Sequence, residues 1–253
     1  MRVAIGIEYI GTQYHGWQSQ SDSAANIPTI QQHIDEALSK IANAPILTTC
    51  AGRTDKGVHA TGQVAHFDTE VDRPLHSWVQ GTNRYLPDDI AINWAKVVSD
   101  NFHARFSAIA RRYEYLIINR KTRSPRWHNR ATWHYHPLDL DAMKAAARHL
   151  IGVHDFNAYR ASECQSKTSV REIIHINIKR DDEIIKIDVK ANAFLHHMVR
   201  NIVGVLLEVG EGKAAANWSK EVLESKDRTI GGITANPDGL YLVEVSYPKA
   251  FEV

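Results

Sequence analysis

Ile173-Ile-His-Ile-Asn-Ile-Lys-Arg-Asp-Asp-Glu-Ile-Ile-Lys-Ile-Asp-Val-Lys190 is two β-rich runs that meet at a polar turn, Arg180-Asp181-Asp182. Read as a hairpin of strands over 173–179 and 183–190, it sets the style of the sheet. Strands joined by so short a turn run antiparallel. Working outward, 111–119 reads as a strand with Tyr113, Tyr115 and Ile117 on one face and Leu116 and Ile118 on the other. The stretch 139–151 reads as a helix ending at Gly152, 195–209 as a second helix and 240–247 as a closing strand. Toward the N-terminus, Val3, Ile5, Ile7 and Tyr9 alternate with small or polar residues, the period of a half-buried strand. After a polar loop rich in Ser, Asp and Asn, Thr29-x-x-Gln32 has the form of a capping box. It opens a helix whose apolar face is Ile30, Ile34, Ala37, Leu38 and Ile41. Short β-rich segments follow at 46–51, 63–69 and 90–98, with a helical stretch around 75–86. Antiparallel strands with helices packed on them make an α+β fold. We expect two similar α+β halves, 1–100 and 101–253, sharing one mainly antiparallel sheet. No sequence repeat relates them.

The whole chain narrows the class. At 253 residues, 43% hydrophobic and 23% charged, it has the composition of an ordinary soluble protein. No run approaches the roughly 20 apolar residues that span a bilayer, so no membrane partner is expected. The apolar part of the first eleven residues is too short for a signal peptide. Cys50 and Cys164 lie far apart and form no C-x-x-C pair, which suggests neither a disulfide framework nor a zinc site. A cytoplasmic location fits. The net charge of +1 taken alone argues weakly against nucleic acid, but its distribution does not. Between 101 and 136 lie eight basic residues (Arg105, Arg111, Arg112, Arg120, Lys121, Arg123, Arg126, Arg130) against one acidic residue, Glu114. An excess of this sign collects phosphate backbones, and the interleaved Trp127, His128, Trp133 and His134 offer rings on which bases stack. A solvated surface strand and loop would carry the same charges.

The chemistry concentrates in Ala51-Gly-Arg-Thr-Asp-Lys-Gly-Val-His-Ala-Thr-Gly-Gln-Val64, where three glycines fall within eleven residues between two β-like runs. Gly52-x-x-x-x-Gly57 superficially suggests a phosphate loop. That motif requires Lys and then Ser or Thr after the second glycine, followed by a helix. Val58-His59 and a strand follow instead, so the nucleotide-binding reading fails. What remains is a lone carboxylate, Asp55, between Arg53 and Lys56. A carboxylate so flanked stays ionised and serves as a nucleophile or base rather than an acid. An Asp that merely caps the turn is the plainer alternative.

Gly52-Arg-Thr-Asp-Lys-Gly-Val-His59 resembles the signature G-R-T-D-x-G-V-H of the TruA family of tRNA pseudouridine synthases. Phe102-His-Ala-Arg-Phe-Ser107, Ala110-Arg-Arg-Tyr-Glu-Tyr115, Cys164-Gln-Ser166 and Ala193-Phe-Leu-His-His-Met-Val-Arg-Asn201 resemble the family's other blocks, in the same order. The likeness runs from about Val3 to Tyr247. It implies isomerisation of uridine to pseudouridine in the anticodon stem-loop of tRNA, at positions 38, 39 and 40, in an active-site cleft between the halves. Asp55 is then the catalytic carboxylate that starts cleavage of the C1′–N1 bond, after which the base rotates and rejoins through C5. Arg53 belongs to the motif around it, Tyr113 stacks on the target base, Arg200 pairs with Asp55, and Leu240 lines the uracil pocket. Phe102, His103, Ala104, Arg105 and Phe106, with Glu163, Cys164, Gln165, Ser166 and Lys167, contact tRNA. Lys167 stands where related sequences often carry Arg, keeping the charge without the bidentate geometry. The family also implies a homodimer. An isomerisation needs no redox or group donor, so no cofactor and no metal are expected.

The residues themselves test parts of this. On a wheel of 100° per residue, the helix at 195–209 has a wide apolar face extended by Val203 and Leu207. It leaves a narrow polar strip at His197, Asn201, Gly204 and Glu208. Arg200 lies beside that strip, partly buried and in need of an anion, unless it snorkels outward. His196 and His197 are neighbours, so they should point to different faces and make a poor metal pair. By pattern alone Tyr113 is a core tyrosine; only the resemblance promotes it. A non-catalytic RNA-binding protein on the same fold is the alternative. A metal-dependent hydrolase finds no H-x-x-x-H or H-E-x-x-H spacing among the fourteen histidines.

Overall fold

The computed structural model describes residues 1–18 and 28–253. Most of the polar loop expected ahead of Thr29 lies outside the described residues. In chain order the strands are β1 (Arg2–Tyr9), β2 (Thr49–Cys50), β3 (His59–Asp68), β4 (Ile90–Val98), β5 (Ala110–Asn119), β6 (Thr132–His134), β7 (Gly152–Asp155), β8 (Val170–Asp181), β9 (Ile184–Ala191) and β10 (Leu240–Ser246). The helices are α1 (Ile30–Ala42), α2 (Leu140–Arg148), α3 (Met198–Gly210) and α4 (Trp218–Ser225). Contacts divide the chain into Met1–Ile109 with Tyr241–Val253, and Ala110–Leu240. The division therefore falls past the expected position near residue 100, and the closing strand joins the first unit rather than the second. The reason is visible in the bonding. Ile109 N–H donates to the Ser246 carbonyl (2.9 Å), and the Tyr247 hydroxyl donates to the Ala104 carbonyl (2.7 Å).

In the first unit the strand order is β4-β1-β3-β10, with β2 added antiparallel to β3. β1 is antiparallel to both neighbours, while β10 runs parallel to β3 over Tyr241↔His59 and Leu242↔Ala60. α1 buries Ile30, Ile34, Ala37 and Leu38, as the 3.6-residue period predicts. Its N-terminus is half a capping box. Thr29 Oγ1 accepts from Gln32 N–H (3.4 Å), but the Gln32 amide turns away to Glu36 Oε1 (3.0 Å). The helical stretch expected at 75–86 widens into a π turn over Ser77–Gly81, which buries Trp78 completely against the edge of Phe67.

In the second unit the order is β5-β9-β8-β7, with β6 parallel to β5. The hairpin β8–β9 turns through Asp182 at φ 53°, a left-handed conformation that Asp tolerates. Asp139 caps α2, its Oδ1 accepting from the N–H groups of Asp141 and Ala142. α3 begins at Met198 rather than 195, because His197 sits at φ 59° and cannot continue a right-handed helix. β6 and β7, three and four residues long, are too short to show a period. Among the described residues no helix is long and apolar enough to cross a membrane.

Candidate functional site

Asp55 lies in the tight turn between β2 and β3, where Val58 N–H donates to the Asp55 carbonyl (3.1 Å). No helix follows the turn, in keeping with the failed phosphate-loop reading. Asp55 is half-buried, Thr54 buried, and Arg53 and Lys56 exposed. The limbs of the loop are tied down from within the first unit. Gln63 Nε2 donates to the Gly52 carbonyl (2.7 Å), and Ala51 N–H to the Val64 carbonyl (2.7 Å). The Thr54 hydroxyl lies 2.8 Å from Tyr9 Oη, and Trp17 N–H donates to the Thr54 carbonyl (3.0 Å). His59, fully buried, accepts from Gly11 N–H on Nδ1 (3.0 Å) and stacks on Tyr241 at 4.5 Å.

The segment 102–106 divides by burial. Phe102 and Ala104 are fully buried among Ala4, Ala51, Val64, Val98 and Tyr247. Their side chains anchor the segment within the first unit and offer RNA no side-chain surface. Arg105 and Phe106 are exposed, Phe106 at 76%. Its ring packs on His103 (centroids 4.3 Å apart, 34° between planes), His103 packs on His66 (4.8 Å), and the Arg105 guanidinium sits over Phe106 (5.5 Å). His66 fastens this stack by accepting Ala104 N–H on Nδ1 (3.2 Å). Burial, reinforced by the positive charge of Arg2, pushes the His66 pKa down to about 4; burial and Arg2 also lower that of His103.

In the second unit, Tyr113 faces Val189 across the β5–β9 ladder. It is half-buried, its ring edge-to-face with Phe194 at 5.0 Å. Tyr115 is the true core tyrosine. It is fully buried, its hydroxyl bonded to Thr132 Oγ1 (2.6 Å) and the Asn236 carbonyl (2.8 Å). The basic segment is less cationic than its composition. Arg112 pairs with Asp188 (3.0 Å) and Arg120 with Glu183 (2.8 Å), both acids coming from the β8–β9 hairpin and its turn. Lys121, Arg123 and Arg126 stay exposed, with Trp133 and Tyr135 exposed nearby in sequence. Of the second expected tRNA segment, Glu163, Gln165 and Lys167 are exposed, while Cys164 and Ser166 are half-buried. Ser166 Oγ accepts from Arg171 (2.7 Å).

Arg200 is half-buried, as the wheel implied; its Nε donates to the Ala235 carbonyl (2.7 Å), and Ala235 N–H returns a bond to the Arg200 carbonyl (3.1 Å). The polar strip of α3 is the line along which the segment 228–236 docks. Asn201 Nδ2 donates to the Tyr159 carbonyl (2.8 Å), and its Oδ1 accepts from Thr234 (2.6 Å) and Arg228 (3.0 Å). Gly204 makes the close approach possible, since a Cβ there would lie 1.9 Å from the Ile233 carbonyl oxygen. Leu240, nearly buried, opens β10. His196 and His197 do not diverge as helical neighbours would. Lying ahead of the helix, their rings sit 4.0 Å apart. Tyr9 and His66 read in sequence as ordinary strand positions, while Gln63 and Asn201 fall inside stretches the sequence marks without anything that distinguishes their side chains.

A family model described as tRNA pseudouridine synthase matches residues 5–107 and 146–248. The match takes in Asp55, Arg200 and Leu240 but not Tyr113. The tRNA pseudouridine synthase A of Pseudomonas aeruginosa is 51% identical over 252 residues, which cover 100% of this chain and 87% of that protein. That of Pseudoalteromonas atlantica is 53% identical over 251 residues, covering 99% and 94%. One from Coxiella burnetii is 51% identical over 252 residues, covering 100% and 95%.

Proposed function

Because this chain belongs to the tRNA pseudouridine synthase family, we propose that Asp55 is the carboxylate with which it isomerises uridine in tRNA. The chain is an isomerase of the pseudouridine synthase class with tRNA as its substrate. Asp55 initiates cleavage of the C1′–N1 bond of a uridine at positions 38, 39 and 40 of the anticodon stem-loop. The freed uracil rotates, C5 bonds to C1′, the hydrogen at C5 leaves as a proton, and N1 ends protonated, so that product and substrate are isomers. Nothing is oxidised, reduced or transferred to a second molecule.

The observation that supports this reading best is the setting of Asp55. It is a half-buried carboxylate whose preceding residue is bound at both its hydroxyl and its carbonyl. A group held this way meets substrate with little reorganisation, which is where enzymes gain most. In the same reading Tyr113 stacks on the target base, Leu240 lines the uracil pocket, Arg53 belongs to the motif around Asp55, and Arg200 supports catalysis through its charge. A base stacked on an aromatic ring contributes about 1–3 kcal/mol, offsetting part of the few kcal/mol needed to unstack a flipped base. Arg105 and the stacked Phe106 contact tRNA on the first unit; Glu163, Gln165 and Lys167 do so on the second, with Lys121, Arg123 and Arg126 collecting phosphates. The enzyme works as a homodimer in the cytoplasm.

The test is tritium release from tRNA carrying 5-³H-uridine, with wild type and Asp55→Asn, in the presence of EDTA. Release by wild type alone, unaffected by EDTA, is expected. Tritium release by Asp55→Asn at the wild-type rate would remove Asp55 from the chemistry. No release by a wild type that still binds tRNA would favour a non-catalytic binding protein.

A further inference from the structure

We infer that Tyr9, Thr54 and Gln63 form a buried positioning device that fixes Asp55 for the reaction, an inference that rests on Asp55 being the catalytic carboxylate. All three belong to the first unit and are nearly or wholly removed from water: Tyr9 at 2%, Thr54 at 6% and Gln63 at 0% exposure. Three polar side chains at such depth cost free energy unless their bonds are satisfied. Their bonds have a direction. The Gln63 amide donates to the Gly52 carbonyl (2.7 Å) and to Tyr9 Oη (3.4 Å), and Tyr9 Oη meets the Thr54 hydroxyl (2.8 Å). The chain of contacts thus starts on β3, crosses the end of β1 and finishes on the residue before Asp55, tying the incoming limb of the loop at Gly52 and Thr54 to one amide on the outgoing strand.

Two further features aim at the same residue. Tyr9 follows an irregularity in the β1–β3 register between Ile7 and Tyr9. Such bulges re-aim a side chain at some cost to the ladder. From the other side, Trp17 N–H holds the Thr54 carbonyl (3.0 Å), and Gly16 at φ +85° lets the backbone approach so closely that a Cβ would lie 2.5 Å from that oxygen. Thr54 is therefore gripped at its hydroxyl and its carbonyl by different segments, and Asp55 inherits its place. A polar network in a core is weaker as a source of stability than apolar packing but specifies one geometry. Positioning is the role such a network suits, because a misplacement of about 1 Å can cost about a hundredfold in rate.

The experiment compares single-turnover pseudouridine formation, KM for tRNA and thermal midpoint in Tyr9→Phe, Thr54→Val and Thr54→Ser. Tyr9→Phe and Thr54→Val, which keep shape and lose a hydroxyl, should lower kcat by about tenfold or more while KM stays within about threefold. Thr54→Ser, which keeps the hydroxyl, should recover most of the rate. Wild-type kcat in both hydroxyl-deleted variants would overturn the inference. So would a loss of rate that only follows the loss of folded protein, with Thr54→Ser as slow as Thr54→Val. If Asp55→Asn remains active, it is the assignment of Asp55 that has failed. If Asp55→Asn is inert and both Tyr9→Phe and Thr54→Val are unimpaired, the positioning device alone is refuted.

Discussion

Acidification should loosen the segment that carries Phe106, and the cause is one histidine. His66 is 6% exposed, and its Nδ1 accepts Ala104 N–H, a role open only to an unprotonated nitrogen. Burial and the charges of Arg2 and His103 bring its pKa from 6.5 to about 4, against the opposing effects of Asp68 and a backbone hydrogen bond at Thr49. Because the folded value lies below the unfolded one, the unfolded chain takes up a proton first as pH falls. Stability contributed by His66 is complete above pH 6.5 and is lost progressively down to about pH 4. A shift of that size is worth about 3 kcal/mol. The wild-type curve alone will not show it, because Asp35 acts in the same window with the opposite sign. Burial raises the Asp35 carboxyl to about 6, so its folded form gains stability as pH falls toward 4. The decisive quantity is the difference between wild type and His66→Asn, whose Oδ1 can stand where Nδ1 stood and does not titrate. Urea unfolding at pH 7 should show the variant less stable, through the lost contacts with His103 and Phe102. By pH 4 the gap should shrink by about 3 kcal/mol, or reverse. A gap constant to within about 0.5 kcal/mol from pH 7 to 4 would refute the assignment of His66 as a buried neutral acceptor.

Three other outcomes follow from the second unit. Asn201→Ala strands the Tyr159 carbonyl, Thr234 and Arg228 together and should cost about 3 kcal/mol in denaturant unfolding; a loss under about 1 kcal/mol would mean water replaces the amide. Gly204→Ala, which in an exposed helix would stabilise by roughly 1 kcal/mol, should instead destabilise by about 1–2 kcal/mol, since its methyl meets the Ile233 carbonyl. A raised thermal midpoint would show the segment 228–236 free to move aside. Affinity for tRNA should fall linearly in log K against log salt, and Lys121→Ala with Arg123→Ala should reduce the slope by about one charge each; an unchanged slope would place these exposed cations outside the binding surface.

What the chain discloses before folding is the apolar period and the turn chemistry; they locate most elements, although β1, which alternates like a half-buried strand, is buried on both faces from Val3 to Ile7, and the capping box at Thr29 forms only by half. β4 was expected at 90–98 and forms there, and α1 buries the face its period names. The failures have local causes. His197 in a left-handed conformation cuts the first turn from α3, and Arg112 and Arg120 lose their apparent charge excess to acids that are distant in sequence. Pairings of that kind are set by strand register, which no window of sequence contains.

The site shows the same limit more sharply. Asp55 could be singled out because a carboxylate among glycines breaks the pattern of its surroundings. Tyr9 could not, because as the last member of an alternating apolar run it already has a sufficient reason to be buried. Periodicity reports which face of a strand leaves water; it does not report which atoms on that face still need a partner once water is gone. That requirement falls on the hydroxyl of Tyr9 and the amide of Gln63, and folding meets it by bonding them to each other and to the Asp55 loop. An amphipathic side chain used this way does two jobs with separate consequences: its ring holds the core, and its hydroxyl holds the loop. Tyr9→Phe separates them, keeping the ring and deleting only the function that periodicity cannot see.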